Sequence, residues 1–219
     1  MIACPALYVI TDDKPSRSSD DLIASVCDAI TGGATLIQFR ERSLPPDDLP
    51  RLICSLSAAC RAAGVPLLLN GGVCEKLREP VQADGIHLQA HNLDRVDELS
   101  GNIITTPGHQ LMLGYSAHSV EELVEALQKV PLDFATLSPI YATPSKEGII
   151  APTGPHILTD CRNTLPEFPV LALGGIDQSR ASECIAAGAS GIAVMRAVMS
   201  AQSPRLAARE LIESMRITH

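Results

Sequence analysis

The sequence predicts an α/β protein built as a single (β/α)8 barrel, the TIM-barrel class, with residues 1–219 forming one domain. Three observations carry this reading. Eight short β-rich runs recur along the chain, a turn signal and an amphipathic stretch follow each, and the composition shifts nowhere between them. Runs that are apolar on both faces imply a parallel sheet covered by helices. Eight such units in 219 residues suit the lower size range of a closed barrel. The rival is an open doubly wound sheet, but no Gly-x-Gly-x-x-Gly of the dinucleotide type follows the first run.

Taken in order, the predicted strands cover residues 7–11, 35–39, 66–70, 85–88, 112–116, 134–138, 170–173 and 191–195. Helix starts are expected at Ser18, at Pro46-Asp-Asp and at Ser119, where hydroxyl or carboxylate groups can cap free amides, and a last helix is expected over 204–215. Without Trp and with three Phe and three Tyr, the core has to be aliphatic. The seven cysteines are odd in number, form no Cys-x-x-Cys pair and read as reduced core thiols. A net charge of -8 argues against a broad basic surface for nucleic acid and leaves room for a local anion pocket. No leader pattern and no membrane-length apolar run is visible, so a cytoplasmic protein with no membrane partner is expected.

Chemistry is expected at the carboxyl ends of the strands. Alternation along the second strand puts Gln38 and Arg40 on one face and Phe39 on the other, so the first two point into the barrel mouth. An inward guanidinium needs an anion, either a ligand or a neighbouring barrel carboxylate. After the sixth strand, Thr143, Ser145 and Lys146 bring two hydroxyls and an ammonium onto one Pro- and Gly-restricted loop, which suits a phosphate or pyrophosphate but is also found in ordinary polar loops. Gly174 and Gly175 follow the seventh strand, and Val194 with Met195 ends the eighth. Their exposed amides can face one anion, as phosphate sites of this fold do, or the glycines can serve a tight turn. His87, His91 and His118 all fall near the mouth. His118 and His91 are the candidate proton shuttles, since imidazole titrates near neutrality, while His118 also stands where a capping or packing role is open to it.

The motifs Tyr8-Val-Ile-Thr-Asp12, Gln38-Phe-Arg-Glu-Arg42, Gly85-Ile-His-Leu88, Gly114-Tyr-Ser-Ala-His-Ser119, Pro139-Ile-Tyr-Ala-Thr-Pro-Ser-Lys146 and Ala172-Leu-Gly-Gly-Ile176 come in order over nearly the whole chain. Together they resemble the thiamine phosphate synthase and TenI superfamily. For a synthase, the resemblance implies that a hydroxymethylpyrimidine pyrophosphate is joined to a thiazole phosphate with Mg2+ neutralising the departing pyrophosphate. It would place Gln38, Arg40, Asn70 and Ser116 on substrate, with Arg42 as a cation where the family has Lys. Thr143, Ser145 and Lys146 would take the pyrophosphate, and Gly175 with Val194 the thiazole phosphate.

This sequence departs from that pattern at the metal, because both positions where the synthase carries a carboxylate read differently: Asn70-Gly71 after the third strand and His91-Asn92 after the fourth. The TenI branch, which includes a metal-independent thiazole tautomerase, is similar at these positions. Its catalytic His corresponds here to Pro139, which cannot transfer a proton. The leading expectation is therefore a TenI-like protein that binds a phosphorylated thiazole, needs no cofactor and has no metal ligands, with His118 or His91 as shuttle. The alternatives are a divergent synthase, whose Mg2+ is held by Glu41, Glu75 or the pyrophosphate itself, and a noncatalytic phosphate-ligand binder. The partners expected are a small phosphorylated thiazole or pyrimidine and, by the habit of the family, a second copy in a homodimer.

Overall fold

A computed structural model describes residues 4–12, 17–41, 43–143 and 151–216. Eight parallel strands close into a barrel: β1 (Ala6–Ile10), β2 (Leu36–Phe39), β3 (Leu67–Asn70), β4 (Gly85–Leu88), β5 (Met112–Ala117), β6 (Phe134–Leu137), β7 (Val170–Leu173) and β8 (Gly191–Val194). Each strand pairs with its neighbours in sequence, and β8 returns to β1 through the pairs Leu7 with Ile192 and Val9 with Val194. The predicted closure is therefore the observed one, and every predicted strand lies within one residue of its expected bounds at each end.

Alternation along the strands builds two apolar layers. Tyr8, Leu36, Leu68, Phe134, Leu171 and Ala193 face inward and fill the barrel, while Leu7, Val9, Ile37, Phe39, Leu67 and Leu69 face outward against the helices. The helix Leu49–Ala62 meets that outer layer with Leu52, Ile53 and Leu56, all buried, and such side chains each contribute about 1.5–3 kcal/mol by leaving water. Ser18 caps the helix Ser19–Thr31 through the Asp21 amide, and Ser119 caps Val120–Lys129 through Glu122, each cap being worth about 1 kcal/mol.

Three local expectations need correction. Residues Pro46–Asp48 form a 3-10 turn, the α-helix begins at Leu49, and Asp48 makes no side-chain cap, because the turn already aligns the first amides. After β3 and β4 the amphipathic stretches are short: Gly71–Cys74, and the 3-10 turn Ala90–Arg95 leading into Val96–Ser100. A two-stranded parallel pair, Val81–Gln82 with Ile103–Ile104, flanks them outside the barrel. The cysteines are not all core thiols: Cys60, Cys74, Cys161 and Cys184 are buried, whereas Cys4, Cys27 and Cys54 are exposed, the last two on the solvent-facing sides of their helices.

Candidate functional site

A cavity of about 460 Å³ opens at the carboxyl ends of the strands. Gln38, Arg40, Asn70, His91, Ser116, His118, Thr143, Gly174, Gly175, Val194 and Met195, all predicted from sequence, line it together. Arg42, Ser145 and Lys146 lie outside the described residues.

From β2 to β5 the mouth is built of side chains. Gln38 sits at the end of β2, only 2% exposed, and its Nε2 donates to the Tyr8 hydroxyl at 2.9 Å. Tyr8 lies 3.3 Å from His87 Nδ1, and His87 Nε2 lies 2.9 Å from Ser116 Oγ. The register makes this line possible: His87 on β4 stands opposite Gly114 on β5, and a Cβ at Gly114 would lie 2.6 Å from both His87 Nδ1 and the Phe134 ring. Burial pushes the His87 imidazole down to about 3, so the ring is neutral at physiological pH, and burial holds the Tyr8 phenol well above its ordinary value against the weaker opposing pull of Gln38. Asn70 ends β3 and its Oδ1 accepts from the Gly72 amide at 3.1 Å.

His118 leaves β5 with its Nδ1 2.6 Å from the Ser138 carbonyl oxygen. A carbonyl only accepts, so Nδ1 carries a proton, which leaves Nε2 as the atom turned to other partners. The His118 amide donates to Glu122, which also accepts from the Tyr115 hydroxyl at 2.8 Å, so the residue has a packing role together with its place in the cavity wall. Burial, reinforced by that carboxylate, raises the Tyr115 phenol. His91 is more exposed, its Nε2 lying 3.8 Å from Glu75 Oε1.

From β6 to β8 the wall is largely backbone. Gly174 and Gly175 have φ of +104° and +65°, and a Cβ on either would meet the chain after β6, at Pro139 Cα (2.9 Å) and the Ala142 carbonyl oxygen (2.6 Å). Two glycines are therefore needed to let this chain pass, and the Tyr141 amide ties it down by donating to the Gly174 carbonyl at 3.0 Å. Arg180 reinforces the arrangement, donating to the Gly175 carbonyl and lying over the Tyr141 ring at 4.7 Å. Thr143 closes this side: its Oγ1 accepts from Arg196 Nη2 at 3.0 Å, so a cation just beyond β8 reaches the loop after β6.

Sequence reasoning passed over two groups. Tyr8 reads as strand core, and only strand register shows that its hydroxyl meets His87, the histidine expected near the mouth. Arg196 was visible at the end of the eighth strand, and its cationic character was the signal that could have added it to the phosphate-binding set.

The residues at the positions expected for metal carboxylates do not fit Mg2+, which favours several hard, charged oxygen ligands. Asn92 is fully buried and acts as a cap: its Oδ1 accepts from the Gln89 amide at 3.1 Å, and its Nδ2 donates to Glu75 at 3.1 Å. A Cβ at Gly71 would lie 2.1 Å from that Oδ1, so the two replacements interlock. Glu75 is paired with Arg95 at 2.8 Å, and Glu41 Oε1 accepts from the Ser43 amide and hydroxyl, each at 2.8 Å. Among the described residues no cluster of three or more His, Cys, Asp and Glu side chains is placed to hold a metal ion.

Comparison with known proteins agrees with the motifs. The family profile described as thiamine monophosphate synthase matches residues 7–198. The thiamine-phosphate synthase of Geobacillus kaustophilus is 37% identical over 217 residues, covering 96% of this chain and 92% of the relative. That of Chloroflexus aurantiacus is 36% identical over 212 residues, covering 97% and 93%. Among solved structures, the thiamine phosphate pyrophosphorylase from Pyrococcus furiosus superposes with a TM-score of 0.77 at 28% identity, covering 96% of this chain and 95% of that one. By its fold, its ordered motifs and these near-full-length similarities, the chain belongs to the thiamine monophosphate synthase family.

Proposed function

We propose that this protein joins a hydroxymethylpyrimidine pyrophosphate to a thiazole phosphate to give thiamine phosphate. The observation that carries the reading is a single cavity with two differently built sides, in a chain whose full-length relatives bear the name thiamine-phosphate synthase. The side-chain half, with Gln38, Ser116 and Asn70, suits a flat polar heterocycle. The backbone half, with Gly174, Gly175, Val194 and Met195, suits a phosphate. Thr143 and Arg196 stand at the mouth for the pyrophosphate, the group to which the family resemblance also assigns Ser145 and Lys146.

In the reaction the bond between the pyrimidine methylene and pyrophosphate oxygen breaks, and its electron pair leaves with the pyrophosphate. The thiazole nitrogen lone pair then forms the new carbon–nitrogen bond, with no proton transferred. Since the residues at 71 and 92 do not suit Mg2+, the reading assigns the charge on the leaving group to this chain's own cations, Arg40 and Arg196 among them. A cytoplasmic homodimer belongs to the same proposal. Among the described residues no helix is long and apolar enough to cross a membrane.

A second reading is favoured by the interlocked Gly71 and Asn92 and by His118, whose Nδ1 is held by the Ser138 carbonyl oxygen and whose ring lines the cavity. In it, the protein binds a phosphorylated thiazole without metal and shifts a proton on it, as a TenI-type tautomerase or as a binder alone. It ranks second because the position of the tautomerase's catalytic His holds Pro139. Incubation with both synthase substrates, with and without Mg2+, separates the two. Thiamine phosphate in either arm supports the first reading, and none in both arms from protein that still binds thiazole phosphate selects the second.

A further inference from the structure

The turn after β7 is held from outside the barrel. Arg180 and Glu183 stand three residues apart on the helix Gln178–Ala186, so both side chains reach Tyr141. The Tyr141 hydroxyl donates to Glu183, the Arg180 guanidinium lies over the Tyr141 ring at 4.7 Å, and its Nη1 donates to the Gly175 carbonyl oxygen. Burial first, and Glu183 second, raise the Tyr141 phenol, so it remains a donor. Arg180 itself does not line the cavity.

Fixing the carbonyl fixes an amide. The peptide bonds joining Gly174, Gly175 and Ile176 are trans, and in a trans peptide the C=O and the next N–H point in opposite directions. The Gly174 carbonyl accepts from the Tyr141 amide at 3.0 Å and the Gly175 carbonyl from Arg180, so both are held from the Tyr141 side. The Gly175 and Ile176 amides therefore turn away from it. Both residues line the cavity, and among the described residues neither amide has an acceptor. The glycines make a brace necessary. Their positive φ is demanded by the chain at Pro139 and Ala142, yet a glycine gives little resistance to rotating the peptide that follows it. Rotated by half a turn, the Gly175 peptide would aim its carbonyl oxygen at the cavity and repel an anion there.

We propose that Arg180 is a positioning residue for the anion end of the cavity: braced by Tyr141 and Glu183, it holds the Gly175 carbonyl outward and presents the Ile176 amide, beside that of Gly175, to a phosphate monoester. The inference rests on the phosphate half of the function proposed above, while the orientation of the turn does not depend on turnover. Tyr141 extends the brace to the chain after β6, so one helix fixes both the segment that carries Thr143 and the turn that carries Gly175.

The test is titration of the full-length protein, as wild type, Arg180→Met and Arg180→Lys, with thiazole phosphate and with the dephosphorylated thiazole alcohol, alongside proton–nitrogen spectra that follow the Ile176 amide. In the wild type the Ile176 amide proton is expected to shift downfield with thiazole phosphate and to stay in place with the alcohol. Arg180→Met keeps a stem over the Tyr141 ring but has no donor. It should weaken thiazole phosphate about tenfold, the effect of one misdirected buried hydrogen bond, and lower Tm by about 3 °C, with little change for the alcohol. Arg180→Lys, which restores a donor, should recover most of the loss. An Ile176 amide that ignores thiazole phosphate, full phosphate affinity in Arg180→Met, or equal losses for phosphate and alcohol would overturn the proposal. If thiamine phosphate is formed while any of these holds, the synthase reading stands without the brace. If the titrations come out as expected and no thiamine phosphate is ever formed, the synthase reading fails and the role of Arg180 stands.

Discussion

The two halves of the barrel mouth are built by different means. From β2 to β5 the wall offers side-chain atoms whose orientation is set by a buried hydrogen-bonded line. From β6 to β8 it offers main chain, shaped by glycines that let neighbouring segments approach within contact distance. The first half should therefore lose recognition before stability when it is altered, and the second should lose stability before recognition.

The largest effect expected is in the backbone half. Gly175→Ala places a Cβ 2.6 Å from the Ala142 carbonyl oxygen at φ +65°. Strain and overpacking together should cost about 3 kcal/mol, read as a drop in Tm of roughly 10 °C. A variant as stable as the parent would show that this wall is softer than its contacts imply. Next is Gln38→Leu in the side-chain half: kcat/KM should fall about a hundredfold while stability shifts by only about 1 kcal/mol, because a charge-free polar contact to substrate is removed within an otherwise packed strand. A proportionate loss of Tm would erase the distinction between the halves.

The third concerns pH. His87 titrates near 3 in the folded protein, and an unfolded imidazole titrates near 6.5, so between those values the unfolded chain holds more protons. Its contribution to stability is present above about pH 6.5 and is lost as pH falls, by about 2 kcal/mol at pH 5. Urea midpoints at pH 7 and pH 5 should show this loss, and His87→Asn should remove that share of it. The smallest effect expected is for Arg196→Met, an exposed cation at the rim: KM for the pyrophosphate substrate should rise about fivefold and the remaining salt dependence should flatten, with Tm unchanged.

The same contrast explains what could be read from the sequence. Strand positions were legible because continuous apolar runs between turn signals have one economical arrangement, and Gln38 and Arg40 followed from alternation along a single strand. Gly174 and Gly175 were legible as a feature but not in purpose, since their need comes from Pro139 and Ala142, more than thirty residues earlier. The Tyr8–His87 contact spans 79 residues and joins a side chain that looks like core to a histidine expected near the mouth, so only the register of the closed sheet discloses it. The interlock of Gly71 with Asn92 was visible as two missing carboxylates, whereas the capping role that keeps Asn92 in place was not.

The most direct measurement is the formation of thiamine phosphate from hydroxymethylpyrimidine pyrophosphate and thiazole phosphate by the purified protein, followed by fluorescence after oxidation, with and without Mg2+. The account predicts product. Product formed only with Mg2+ would keep the synthase reading and refute the assignment of leaving-group charge to the chain's own cations. No product in either arm, from protein that binds thiazole phosphate, would contradict the central claim and leave a metal-free thiazole phosphate protein in its place.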